Sequence, residues 1–259
     1  MSKFVKYFSL IFFLITSSVV SPAEKSEKLL TADWTFKGPF GKFDRASLQR
    51  GYQVYQEVCA SCHSLKYMSY RNLSEEGGPE FSVQEAKAIA ANFEILDGPN
   101  PEGEMFNRPA RLSDKFAMPY SNEEEAKAAN GGAYPPDMSV LVKARKGGAD
   151  YVYSVLLGYE DPPEGMKLDD GVYYNKYMYG NKIKMPLPLS EGLVEYTDGT
   201  NATEQQMAKD VVGFLMWTAE PHLEKRHKIG FRAIIYLIIL SILVYFSMKK
   251  IWSRIETEV

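Results

Sequence analysis

The chain has 259 residues, 45% hydrophobic and 13% aromatic, enough for one sizeable domain and a membrane anchor. Its net charge of −3 hides a division: residues 24–228 carry 31 acidic against 24 basic side chains, a balance of −7, while the two ends carry 6 basic against 2 acidic. An acidic globular part points away from nucleic acid, towards a basic partner or simple solubility.

The N-terminus has the pattern of a secretory signal. Lys3 and Lys6 make a positive start, residues 8–20 are apolar apart from small hydroxyl side chains, and Ser21-Pro22-Ala23 is a small-residue site. A signal over 1–23, cleaved after Ala23, is predicted. An uncleaved anchor is the competing reading, and the run is short for one. In residues 24–43, Trp34, Phe36, Phe40 and Phe43 are spread among Gly and Pro without helical period. They predict an extended arm lying on the domain or buried into it. Asp44 then caps a helix, with Leu48, Tyr52, Tyr55 and Val58 at helical spacing. Gly51 inside it costs about 1 kcal/mol against Ala. It marks either close packing against another helix or a chance surface glycine.

That helix leads into Cys59-Ala60-Ser61-Cys62-His63, which holds both cysteines of the chain. CxxCH is the attachment pattern of a c-type haem. Two thiols add across the two vinyl groups, and two intervening residues let both sulfurs reach one porphyrin edge. The next residue brings an imidazole under the iron. A redox CxxC pair needs no following histidine. Zinc needs four ligands, and the other histidines, His222 and His227, lie far along the chain. A structural disulfide is the remaining rival.

Beyond the pentapeptide, Ser82 with Glu85 forms a capping box for a short helix over 82–91, and 97–109 reads as loop. Asn122 opens a helix to Ala129 with Glu123, Glu124 and Glu125 in its first turn. Asn130-Gly131-Gly132 stops it. Residues 138–145 are predicted helical, and 150–202 mostly loop, dense in tyrosine. Among eleven methionines, two have a following proline that stiffens the loop: Met118 and Met185. Either satisfies the need for a second axial ligand. Met185 is favoured because a capped amphipathic helix follows it, from Thr203 to Ala219, with Met207, Val211, Phe214 and Leu215 on one face. Gly51 and Gly213 are candidates for the point where this helix crosses the first. Residues 229–248 form an apolar span whose one charge, Arg232, lies near its edge. Basic residues flank it on both sides, so the positive-inside comparison is nearly even. The signal instead places the domain outside and residues 249–259 in the cytoplasm.

Taken in order, these motifs resemble the cytochrome c1 family, haem subunits of ubiquinol–cytochrome c reductase, in its bacterial form. The resemblance covers the whole mature chain. It rests on the export signal and the CxxCH segment, on 131–137 (Gly-Gly-Ala-Tyr-Pro-Pro-Asp), on 145–152 (Arg-Lys-Gly-Gly-Ala-Asp-Tyr-Val), and on Gly158-Tyr159 with Pro162-Pro163. Met185-Pro186, Asp198-Gly199-Thr200, the helix ending near Trp217 and the single anchor complete it. The chain departs from the family at Pro186-Leu187-Pro188, where Ala-Pro-Pro follows the ligand methionine. It also lacks the extra cysteine pair of some bacterial members.

The resemblance implies a mainly α fold: a cytochrome c-like haem domain with long loop insertions plus one C-terminal transmembrane helix. It implies one haem c on Cys59 and Cys62, with His63 and Met185 as axial ligands. Arg145 and Tyr151 would lie near the propionates, with Asn130, Pro135 and Pro136 along the pocket. Implied partners are cytochrome b, the Rieske iron–sulfur protein and a cytochrome c acceptor, in a dimeric complex of the bacterial inner membrane with the haem domain in the periplasm. Two other classes compete: a membrane-anchored, peroxidase-like haem enzyme with an open iron position, and an anchored thiol oxidoreductase.

Overall fold

The computed structural model describes residues 27–255, so the predicted signal segment falls outside the described residues. Helix α1 spans Arg45–Val54 and passes directly into a π-helical turn, Tyr55–Cys59. A 3-10 turn, Tyr70–Ser74, and α2, Val83–Ala91, follow. Next come the hairpin strands β1, Glu94–Asp97, and β2, Phe106–Pro109, then α3, Glu123–Ala129, and α4, Gly148–Leu157. A two-residue strand pair, β3 at Tyr173–Tyr174 and β4 at Lys182–Ile183, precedes α5, Glu204–Ala219, and α6, Leu223–Ile255. The fold is helix-rich with one long apolar C-terminal helix, as expected.

The caps form as the sequence indicates. Asp44 accepts from the Ser47 N–H at 3.2 Å, Ser82 and Glu85 form the reciprocal box, and Thr203 accepts from the Gln206 N–H at 3.2 Å. Each satisfies helix N–H groups that have no partner within the helix. Helices α1 and α5 cross at Gly51. A Cβ there would lie 2.1 Å from the Asp210 carbonyl oxygen, so only a hydrogen lets the backbones approach this closely. Gly213 is not the contact point: its Cβ would meet Ser47 Oγ at an ordinary 3.7 Å. Leu48, Tyr52, Val54, Tyr55, Phe214 and Trp217 close over the crossing. Asp210 is fully buried beside it and takes the Arg50 guanidinium at 2.8 and 3.2 Å.

Two expectations are corrected. Residues 138–145 are a run of turns, not a helix. They are confined between an Asp137 carboxylate that holds the Ser139 N–H at 3.0 Å and Gly147 at φ 94°. So short a stretch does not repay helix nucleation. Residues 150–202 are mostly loop, as expected, although α4 fills their start and buries Val152, Tyr153 and Val155. Within 97–109, residues 98–105 are loop as expected, but the ends pair as the β1–β2 hairpin. Of the N-terminal aromatics, Trp34, Phe36 and Phe43 are buried and Phe40 is exposed.

Candidate functional site

The π-helical turn rolls the end of α1 into the cysteine pair. The Ala60 N–H donates to Tyr55 O at 2.8 Å, and the N–H groups of Cys62 and His63 both donate to Cys59 O, at 3.1 and 2.9 Å. Two thiols and an imidazole therefore leave one compact turn. Insertions of this π type occur frequently at functional sites. The Tyr55 hydroxyl donates to the His63 carbonyl at 3.0 Å, fixing the turn from below. Cys59 and Cys62 are not joined in a disulfide. Burial, with Cys62 nearby, pushes the Cys59 thiol up to about 12. A thiol oxidoreductase needs the opposite, a depressed thiol.

His63 Nδ1 lies 2.8 Å from the Pro136 carbonyl. A carbonyl only accepts, so Nδ1 carries the proton and Nε2 keeps its lone pair. Burial lowers the imidazole's pKa, against opposing effects of Pro136 and Asp137. A neutral ring with its second nitrogen fixed by a backbone carbonyl is the form that ligates a metal. The loop carrying Pro136 is itself stitched down. Asp137 accepts from Ser64 Oγ at 2.9 Å and from the Lys66 N–H at 2.8 Å, and the Met138 N–H donates to Ser64 O at 2.9 Å. Burial works to raise the Asp137 pKa, but the donors from Lys66, Ser139 and Ser64 prevail and lower it.

Met185 follows β4 and is half-buried. The Tyr159 hydroxyl donates to its carbonyl at 3.0 Å. Tyr159 sits at the end of α4, bridged to Asn175. Asn175 is fully buried; its amide donates to Val155 O at 2.7 Å and accepts from the Tyr177 N–H at 3.1 Å. Gly158 leaves no room for a side chain, since a Cβ would lie 2.5 Å from the Tyr177 ring. The residue before the methionine, Lys184, reaches across to Gly131 O at 3.0 Å, in the glycine turn that leads to Pro135-Pro136. Met118 is 53% exposed and shares an open groove with Cys62, Tyr134 and Pro135. Sequence reasoning gave Tyr159 no individual role and missed Asn175 altogether. Only contacts between distant segments reveal them.

Arg145 is exposed and has no carboxylate partner among the described residues; its guanidinium meets only Ala144 O, at 3.5 Å. Tyr151, half-buried on the first turn of α4, donates to Met178 Sδ at 3.5 Å. The Asn130 amide donates to Ala126 O within α3 at 2.7 Å and to the hydroxyl of Tyr120, which precedes that helix, at 3.0 Å. The structure thus gathers Cys59, Cys62, His63, Pro135 and Pro136 at one place. The Met185 loop is linked to it through Lys184. Among the described residues no three His, Cys, Asp or Glu side chains converge on a point. The donor set nevertheless fits a haem: paired cysteines, an imidazole nitrogen with no protein partner among the described residues and a thioether in the adjoining loop. Met118 and Tyr134, both exposed, line the groove that Cys62 opens into.

A helix crossing that delivers CxxCH to such a cleft, with a long apolar helix behind it, defines a membrane-anchored cytochrome of the c type. More narrowly, the chain belongs to the cytochrome C1 family, whose model matches residues 34–255. It is 51% identical over 249 residues to "Cytochrome b/c1" of Bradyrhizobium diazoefficiens, covering 89% of this chain and 36% of that protein. The chain thus spans about a third of that relative's length. It is 47% identical to "Cytochrome c1 2, heme protein, mitochondrial" of Arabidopsis thaliana, covering 95% of this chain and 80% of that one. It is 45% identical to "Cytochrome b-c1 complex catalytic subunit, mitochondrial" of Candida albicans, covering 94% and 84%.

Proposed function

We propose that the chain is the haem subunit of a ubiquinol–cytochrome c reductase complex. It passes single electrons from a Rieske iron–sulfur protein to a cytochrome c, through one haem c bound covalently at Cys59 and Cys62. Cytochrome b and the Rieske protein are its partners in a dimeric complex, and quinol chemistry belongs to them. The relatives named for cytochrome b/c1 and the b-c1 complex support this assembly. The observation that carries the reading is the His63 Nδ1 to Pro136 contact, which presents the other ring nitrogen beside the cysteine pair.

When bound, haem supplies the one-electron redox centre, and the chain's own residues set its surroundings. His63, neutral and oriented by Pro136, would hold the group through Nε2. Met185, its backbone fixed by Tyr159, would supply a thioether ligand, which favours a high potential and leaves no open position for oxygen or peroxide. Arg145 and Tyr151 would serve the group's carboxylates, because a carboxylate taken out of water needs a cation or donors. Pro135 and Asn130 line the approach. Domain boundaries follow: an exported haem domain over 24–228, a span over 229–248 and a cytoplasmic tail over 249–259. The domain then faces the periplasm from a single span in a bacterial inner membrane. The acidic group Glu160, Asp161, Glu164, Asp169 and Asp170 steers a basic cytochrome c, though Glu160 is already paired with Lys176.

The test is acid–acetone extraction of the purified protein, then an absorbance spectrum of the dithionite-reduced residue. Haem retained with a low-spin c-type spectrum is expected. Replacing both Cys59 and Cys62 by Ala abolishes the retention. Covalent haem in that double variant overturns the reading.

A further inference from the structure

The first turn of α6 is clamped to the N-terminal arm. Buried Glu224 accepts from the Phe43 N–H at 2.9 Å and takes the Arg45 guanidinium on both oxygens, at 2.7 and 3.0 Å. His227 Nδ1 lies 3.2 Å from the Gly41 carbonyl. Residues 38–41 are a tight turn, closed by the Gly41 N–H on Gly38 O at 3.2 Å. Gly38 holds φ 86°, a conformation glycine takes without strain. Phe40 rides in this turn, 73% exposed, while the other arm aromatics are buried. Its ring stands edge-on to Phe231, with 5.9 Å between centroids. Phe231 belongs to the exposed apolar run of α6.

A single exposed phenylalanine ordinarily needs no explanation. This one joins a patch continuous with the apolar helix surface that a bilayer covers. Phe231 lies two residues beyond Ile229, a rise of about 3 Å, so the ring pair marks the edge of the apolar run. The charges next to it in sequence are basic, and Lys42, Lys225 and Arg232 have no ion-pair partner among the described residues. Aromatic rings beside cations are the composition found at headgroup level, where cations favour anionic lipid.

We infer that the 38–41 turn is a bilayer-contact element. Phe40 seats at the boundary of headgroups and acyl chains, so the haem domain itself touches lipid at a second point beside its anchor. The inference rests on the membrane reading of α6 and is independent of the haem ligands.

The experiment uses the full, haem-loaded chain in nanodiscs of phosphatidylcholine with phosphatidylglycerol. Phe40→Cys is spin-labelled, and power saturation compares accessibility to oxygen and to a water-soluble nickel chelate. The labelled parent chain sets the background from the native thiols. Tyr179→Cys, at an 89% exposed position, is the water control, and Tyr236→Cys in the middle of α6 is the lipid control. The oxygen-to-nickel ratio at position 40 is expected several-fold above that at 179 and below that at 236. A ratio at 40 equal to that at 179 overturns the inference. So does a label inaccessible to both reagents, which means that protein covers the turn. A water-like ratio at 236 instead refutes the membrane reading of α6, and the inference falls with it.

Discussion

Gly51→Ala tests whether the α1–α5 crossing is as tight as its geometry states. The added Cβ would lie 2.1 Å from the Asp210 carbonyl oxygen, 2.7 Å from its carbon and 2.8 Å from Phe214 Cβ. Two of these atoms are backbone, so no side chain can swing away. The helices must part by roughly 1 Å in a core packed to crystal density. Overpacking of this kind costs about 1–3 kcal/mol, and the rigid contact places it at the upper end. Alanine returns about 1 kcal/mol of helix propensity. The net loss is about 2 kcal/mol, which for a domain of this size lowers Tm by about 4–8 °C. Thermal unfolding of the haem-loaded protein, followed by far-UV circular dichroism, measures it. Gly213→Ala is the internal control: its Cβ meets nothing closer than 3.7 Å, so propensity alone acts and Tm stays level or rises. A Gly51→Ala protein as stable as the parent, or a Gly213→Ala protein less stable than it, refutes the crossing argument.

Met185→Leu should lower the reduction potential and admit carbon monoxide, since a thioether favours the reduced iron, whereas Met118→Leu should do neither; the opposite pattern in a redox titration assigns the ligand to Met118. Tyr159→Phe leaves the Met185 carbonyl without its donor, at a cost of about 1–3 kcal/mol to the ligand loop. The potential should then move in the direction of Met185→Leu but by less, and an unchanged potential with unchanged carbon monoxide binding removes the role given to Tyr159. Asp137→Asn weakens the loop that carries Pro136. Because the Asp137 pKa is lowered in the folded protein, its stabilisation is present above the ordinary carboxylate value of about 3.9 and lost as pH falls through the lower folded value. The Tm gap between variant and parent should therefore be wide at neutral pH and close towards acid, and a gap independent of pH contradicts the assignment.

The parts of the fold legible in sequence are those whose signals are local. Asp44, Ser82 and Thr203 announce helix starts because a cap acts within three residues, and CxxCH carries its chemistry in five. Helix α4 was missed for the opposite reason. Its N-cap is Gly147 in a left-handed conformation with no side-chain cap, and its Tyr-Val-Tyr core reads equally well as strand or loop. Packing against α5 decides the matter, and that lies 50 residues away. The site divides in the same way. The Cys59–His63 motif is read within five residues, but Pro136 as the acceptor of the imidazole proton is a contact across 73 residues. The Tyr159–Asn175 support likewise exists only once three loops have met. Residues 138–145 show a local signal overruled: their composition suits a helix, but bonds at both ends leave too few residues to make one.

The junction between domain and anchor has a consequence for how electrons can move. Helix α6 starts inside the domain and runs 33 residues as one α-helix. Its first turn is held by Arg45, Phe43 and Gly41, and no glycine- or serine-rich linker intervenes. The domain is therefore a bracket, not a pendant on a string. It has little freedom to swing, and whatever it holds stays at a set height above the bilayer. A carrier that must visit two stations needs a tether; a fixed station needs a rigid mount. As one station of the proposed relay, this domain is built to stay where it is mounted.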